Sequence, residues 1–88
     1  MSQLQERIAQ FRKMANDDPD NELGHFRLGQ LYQEAGQLEE AAKSFRRTLE
    51  LSPQFSKVYQ LLGATLMQMG RRDEAVQVLR QGLSLIHI

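Results

Sequence analysis

The sequence predicts an all-α protein built from a repeated pair of helices, and three features of the chain support that fold class. The 88-residue sequence matches itself when it is shifted by 34 residues, a period that indicates a repeat architecture. Apolar residues recur at i, i+3, i+4 and i+7, as on one face of an α-helix. No segment alternates apolar and polar residues with a period of two, so β-strands are not indicated.

The internal matches fall on residues that begin, end or pack helices. The shift pairs Leu28 with Leu62, Gly29 with Gly63, Gly36 with Gly70, Glu40-Ala41 with Glu74-Ala75, and Arg46 with Arg80. The same shift carries Phe11-Arg12 onto Phe45-Arg46 and Pro19 onto Pro53. We therefore expect an N-terminal capping helix in residues 1–19, a first unit in 22–55 and a second unit in 56–88.

Five helices are expected, near residues 2–16, 22–35, 38–51, 55–69 and 72–84. Asp20 or Asn21 is suited to cap the start of the second helix, because its side chain can accept a hydrogen bond from a free N–H. Gly36 and Gly70 follow the second and fourth helices, where a left-handed residue is common. Pro53 ends the third helix because it lacks the N–H that a continuing helix needs.

These residues resemble the tetratricopeptide repeat (TPR), whose pattern is W-x2-L-G-x2-Y…G…A-x3-F…P. The first unit has His25-x2-Leu28-Gly29-x2-Tyr32, then Gly36, Ala41-x3-Phe45 and Pro53. The second has Tyr59-x2-Leu62-Gly63-x2-Leu66, then Gly70 and Ala75-x3-Leu79. The resemblance covers nearly the whole chain and implies a short right-handed α-solenoid with small residues where helices cross. Three positions depart from the pattern: His25 replaces an aromatic residue, and Thr48 and Gly82 replace a small alanine.

Composition and charge exclude several classes of function. Eleven basic and eleven acidic residues cancel, which removes the electrostatic argument for a nucleic-acid or polybasic membrane partner. The absence of cysteine excludes disulfides, thiolate metal sites and cysteine nucleophiles. No stretch approaches the ~18 apolar residues of a membrane span, and the N-terminus lacks the apolar core of a secretory signal. We expect a cytoplasmic protein without a cofactor.

The acidic run at residues 17–22 is the densest cluster of oxygen ligands, but it does not match a calcium loop. Such a loop needs glycine at its sixth position and glutamate at its twelfth. Counted from Asp18, those positions hold Leu23 and Gly29. Turn and capping chemistry explains the run better, so we expect no metal site.

His25 is expected to be a partly buried packing residue, because it takes the position of a large aromatic in the repeat. Glu22 is the only acid within one helical turn of it. A single His/Glu pair at a helix start is a weak basis for catalysis. The protein is therefore not expected to be an enzyme.

The family resemblance implies a protein-interaction scaffold in which the first helix of each unit lines a concave, peptide-binding face. Position by position, this face comprises Leu23, Phe26, Arg27, Gln30, Gln33 and Glu34 in the first unit and Lys57, Gln60, Leu61, Ala64, Met67 and Gln68 in the second. The Lys/Asn/Arg clamp that some TPR modules use for a terminal carboxylate is replaced here by Phe26, Gln30 and Leu61. Phe26 and Met67 are either apolar anchors for a peptide or covers for the core.

The final helix is expected to have too many apolar residues for one buried stripe, namely Val76, Val78, Leu79, Leu83, Leu85, Ile86 and Ile88. Self-association through this helix, as the assembly arm of a longer protein, is the alternative function. Residues 83–88 resemble the translated end of a sequencing adapter, which would make the chain an N-terminal fragment of a bacterial TPR protein. A natural apolar helix end is the other interpretation, and in both His87 is expected to have no function.

Overall fold

The computed structural model describes residues 2–86, and within this range the fold consists of five α-helices and no strand. The helices are α1 (Gln3–Asp17), α2 (Glu22–Glu34), α3 (Leu38–Leu51), α4 (Ser56–Gln68) and α5 (Arg72–Ile86). Their number and order are as the sequence predicts, and the first four agree with the expected bounds to within one residue at each end. Helix α5 continues two residues beyond its expected end. The prediction for His87 lies outside the described residues.

Two helices begin at side-chain caps. The Ser2 hydroxyl accepts a hydrogen bond from the N–H of Gln5 at 3.2 Å, which opens α1. The Asn21 side-chain oxygen accepts one from the N–H of Leu23 at 3.0 Å. Asn21, rather than Asp20, is therefore the cap of α2.

Helix α2 and helix α4, the first helices of the two hairpins, are each followed by a glycine in the left-handed conformation. Gly36 has φ 75° and Gly70 has φ 79°. The N–H of Gln37 donates to the Tyr32 carbonyl, and the N–H of Arg71 donates to the Leu66 carbonyl, both at 2.9 Å. These bonds satisfy carbonyls that a helix end would otherwise leave free, and they turn the chain back for the second helix of each hairpin.

Each helix packs against the next along the chain, so that the hairpins α2–α3 and α4–α5 stack through α3 and α4 while α1 covers α2. This arrangement is a short α-solenoid. Its buried apolar residues come from all five helices and form one continuous core: Ile8, Ala15, Leu28, Leu31, Tyr32, Ala41, Ala42, Phe45, Val58, Leu62, Leu66, Ala75 and Val78.

Glycines allow the paired helices to approach closely, as the sequence predicts for Gly29 and Gly63. A Cβ at Gly29 would lie 2.6 Å from the Phe45 ring, and one at Gly63 would lie 2.6 Å from a Leu79 methyl carbon. A Cβ at Gly82 would lie 2.6 Å from the Cβ of Tyr59. The contact at Gly82 explains why alanine is absent there, because the Tyr59 Cβ is fixed to the backbone of α4 and cannot rotate away.

Candidate functional site

Helices α2 and α4 lie side by side and run in the same direction. Near their N-terminal ends, the rings of Phe26 and Phe55 pack with centroids 4.8 Å apart. Near their C-terminal ends, the Gln33 amide donates to the Thr65 hydroxyl at 3.0 Å, and Thr65 itself donates to the Leu61 carbonyl at 2.8 Å. Because contacts at both ends join the two helices, their outward sides form one surface.

The residues that the sequence assigns to the concave face fall into three groups in the structure. Phe26 and Gln33 join α2 to α4, so Phe26, which is partly buried against the core, covers the core rather than standing free. Gln60 and Met67 occupy the equivalent positions of α4 and are exposed, Met67 at 48%. The remaining residues belong to the other sides of α2 and α4: Leu23, Glu34, Lys57, Ala64 and Gln68 are exposed, whereas Arg27, Gln30 and Leu61 are partly buried, Leu61 against the core.

Cationic and apolar side chains alternate across the first two turns of this surface. On α2, Leu23 precedes Arg27 by one turn, and on α4, Lys57 precedes Leu61 by one turn. The 34-residue repeat places Lys57 level with Leu23, and Leu61 level with Arg27. Leu23 is 59% exposed. We name these four residues the groove quartet.

The two cations of the groove quartet form no ion pair within residues 2–86. Arg27 donates instead to the Gln30 side chain at 3.2 Å. The N-terminal ends of α2 and α4 lie at the same end of the surface and add partial positive charge. Glu34 and Gln68 lie at the opposite end. Glu22 lies in the first turn of α2, so the end with the two cations also carries one acidic residue, while the opposite end is polar to acidic.

The acidic run makes local structural contacts. Lys13 donates to Asp17 at 2.7 Å, and this hydrogen bond together with the carboxylate charge raises the pKa of the Lys13 ammonium. Asp20 lies 3.8 Å from Arg47, and Asn21 caps α2. Within the part of the chain that the structure describes, no three His, Asp or Glu side chains converge on a common point.

His25 makes a packing contact that the second hairpin repeats. It is partly buried, as predicted, and its Nε2 donates to the Pro19 carbonyl at 2.9 Å. Thirty-four residues later, the Tyr59 hydroxyl donates to the Pro53 carbonyl at 2.6 Å. The polar tip of each side chain thus ties the start of its helix to the preceding turn, which explains why histidine can replace the aromatic residue.

Sequence reasoning did not identify Phe55 and Thr65, which connect α4 to α2. Phe55 lies just before α4, outside its periodic part, and a threonine in a buried stripe gives no pattern signal. A residue-by-residue comparison of the buried faces of α2 and α4 would have singled out Thr65, because it is polar at the position where the first unit has Leu31.

The comparisons with known proteins agree with the stacked hairpins. The family model for the tetratricopeptide repeat matches residues 33–85. The chain belongs to the tetratricopeptide repeat family. It is 36% identical over 77 residues to TPR repeat-containing protein PA0015 of Pseudomonas aeruginosa, a match covering 88% of this chain and 73% of that protein. TPR repeats mediate protein–protein interaction, and the family is one of interaction scaffolds rather than enzymes.

Solved structures with the same TPR architecture include those of MamA. One superposes with a TM-score of 0.92 over 98% of this chain and 50% of its own, at 23% identity, which shows the shared fold. A MamA AMB-1 structure has a TM-score of 0.88 at 30% identity, covering 93% of this chain and 48% of its own. The chain spans about half the length of the solved structures it matches. Within the described residues, no helix is both long and apolar enough to cross a membrane.

Proposed function

We propose that the groove quartet and the surface beyond it bind a peptide segment of a partner protein that combines apolar and acidic side chains. The observation that carries this proposal is the alternation of Leu23 and Leu61 with Arg27 and Lys57 on two parallel helices. The exposed Leu23 supplies apolar contact area, and the two cations form no ion pair within residues 2–86.

Two features of the surface support a preformed site. The Gln33–Thr65 hydrogen bond and the Phe26–Phe55 contact hold α2 and α4 together, so a ligand need not order the helices as it binds. Gln30 and Gln68 add amide groups, which can donate to and accept from a peptide backbone. Glu34, at the far end, disfavours acidic residues there and gives the bound segment a direction.

We expect a charge reversal at Lys57 to weaken peptide binding by about tenfold, which corresponds to ~1.4 kcal/mol. The probe is a set of 12-residue peptides selected on the full chain from a random display library. Selected peptides should be enriched in acidic and apolar residues. Their Kd, measured by fluorescence anisotropy, should rise for Lys57→Glu, and the effect should shrink at high salt because screening weakens exposed charge pairs.

Lys43→Glu is the matched control, because it makes the same charge change on an exposed lysine of α3, away from the groove quartet. It should leave the Kd unchanged. Leu23→Ala should also weaken binding, at all salt concentrations. Equal effects of Lys57→Glu and Lys43→Glu, or a library that yields no acidic–apolar preference, would contradict the proposal.

Self-association is the second candidate function, and the exposure of Val76 (38%) and Leu83 (56%) on α5 favours it. In a solenoid, an end without a polar cap exposes apolar residues that a neighbour would otherwise bury. Under this function, sedimentation equilibrium should show association that Leu83→Gln abolishes and Lys57→Glu leaves intact. A monomer at all concentrations would exclude it.

A further inference from the structure

A crevice of about 480 Å³ lies where α3 meets the second hairpin. Its floor is apolar, because Leu62 of α4 and Val78 of α5 are buried and Leu49 of α3 is partly buried beside Tyr59. Helices of both hairpins form its walls, so it is a feature of the junction between the hairpins rather than of either end of the solenoid. The volume is large enough to take up a long side chain.

The preceding junction, between α1 and the first hairpin, is crossed by an arginine at the equivalent place. The guanidinium of Arg47 on α3 lies 3.8 Å from Asp20 in the α1–α2 turn and 3.9 Å from Glu50. Only 39% of the Arg47 side chain is exposed, so its aliphatic stem lies against the protein. Thirty-four residues later, Gln81 replaces Arg47 and Gln54 replaces Asp20. The second junction therefore lacks the arginine that crosses the first.

The charges around the crevice favour a cation. Arg46, the basic residue of its lining, is already paired with Glu74. Glu50, the acidic residue of its lining, forms one ion pair within residues 2–86, at 3.9 Å with Arg47, which also lies near Asp20. The last turn of α3, where Glu50 lies, contains no basic residue, so the partial negative charge of the helix end adds to that of the carboxylate.

We propose that this crevice binds an arginine side chain of a partner protein. The aliphatic stem packs on the apolar floor, and the guanidinium pairs with the Glu50 carboxylate and stacks on the Tyr59 ring. Arginine fits better than lysine because its planar guanidinium can do both at once. Arg12 makes a similar contact within the molecule, with its guanidinium carbon 5.8 Å from the centre of the Tyr32 ring. The crevice shares no residue with the groove quartet, so the proposal does not depend on peptide binding there.

The test titrates the isotope-labelled full chain with the peptide acetyl-Ala-Ala-Arg-Ala-Ala-amide and follows the backbone amide chemical shifts by NMR. A matched peptide carries citrulline, which keeps the shape of arginine but removes its charge. We expect shifts centred on Glu50 and Gln81, and a Kd for the arginine peptide about threefold or more below that of the citrulline peptide. Free arginine should bind less tightly than the arginine peptide, because it brings its own carboxylate close to Glu50.

Three variants locate the interaction, each checked for its fold by circular dichroism. Glu50→Gln should remove the preference for arginine over citrulline. Glu40→Gln is the control, because it makes the same change on an exposed glutamate of α3 that does not line the crevice, and it should keep the preference. Gln81→Arg should raise the Kd of the arginine peptide about threefold or more, because it supplies from within the chain the cation that crosses the first junction.

Four results would overturn the proposal. These are shifts centred on the groove quartet, no shifts at about 10 mM arginine peptide, an unchanged preference for arginine in Glu50→Gln, and equal effects of Glu50→Gln and Glu40→Gln. Free arginine that binds as tightly as the peptide would overturn the assignment to a partner protein and would indicate a small-molecule site instead.

Discussion

Replacing Gly63 by leucine is expected to lower the free energy of unfolding by about 1–3 kcal/mol or more, the usual cost of overpacking a helix crossing. A Cβ at this position would lie 2.6 Å from Leu79 Cδ2 and 2.7 Å from its Cγ, so the Leu79 side chain must shift or α4 and α5 must move apart. Removing a glycine from a helix gains up to ~1 kcal/mol, which offsets only part of that cost. The midpoint of urea unfolding, followed by circular dichroism, measures the difference.

Gln77→Ala is the control for this prediction, because Gln77 is exposed on α5 and both residues favour helix. Its midpoint should stay close to that of the unmodified chain, since exposed substitutions typically change stability by less than ~0.5 kcal/mol. Similar midpoints for Gly63→Leu and Gln77→Ala would mean that the helix crossing is not where the repeat places it.

The helices and their crossings could be predicted from the sequence because each depends on individual residues that recur at the same position in both repeat units. Gly36 and Gly70 mark helix ends through backbone conformation, a property that belongs to the residue itself. Gly29 and Gly63 interrupt helices at equal phase, and only close packing explains glycine there. A single glycine within a helix is weak evidence for a helix crossing, but the same glycine in both units is specific evidence for one.

The sequence could not predict which residues of the concave face are buried and which are exposed, because burial depends on whether a neighbouring helix covers them. Phe26 and Gln60 hold equivalent positions in the two repeat units, yet Phe26 is partly buried and Gln60 is exposed. Helical periodicity gives the direction of a side chain, but its burial depends on what the following hairpin places opposite it. Phe55 supplies that contact for Phe26.

The same dependence on neighbours leads to a prediction at Phe45 and Leu79, which hold equivalent positions in the two hairpins. Phe45 is completely buried, enclosed by the backbone at Gly29 and by the core that both hairpins form, whereas Leu79 remains partly exposed at the pocket beside Gly82. Phe45→Ala is expected to cost about 3–5 kcal/mol, the range for a buried aromatic truncated to alanine. Leu79→Ala should cost less than half of that, since water already reaches part of its side chain.

Urea unfolding of both variants measures this contrast, and the chain extended with a second copy of residues 55–86 provides the comparison. If a following hairpin covers α5 as the second hairpin covers α3, the cost of Leu79→Ala should rise in the extended chain, while that of Phe45→Ala should stay the same. Buried apolar area sets both costs, so only the residue whose surroundings change should respond. An unchanged cost at Leu79 would show that the appended hairpin leaves the pocket open, and equal costs at the two positions in the original chain would show that the end of α4–α5 is already covered.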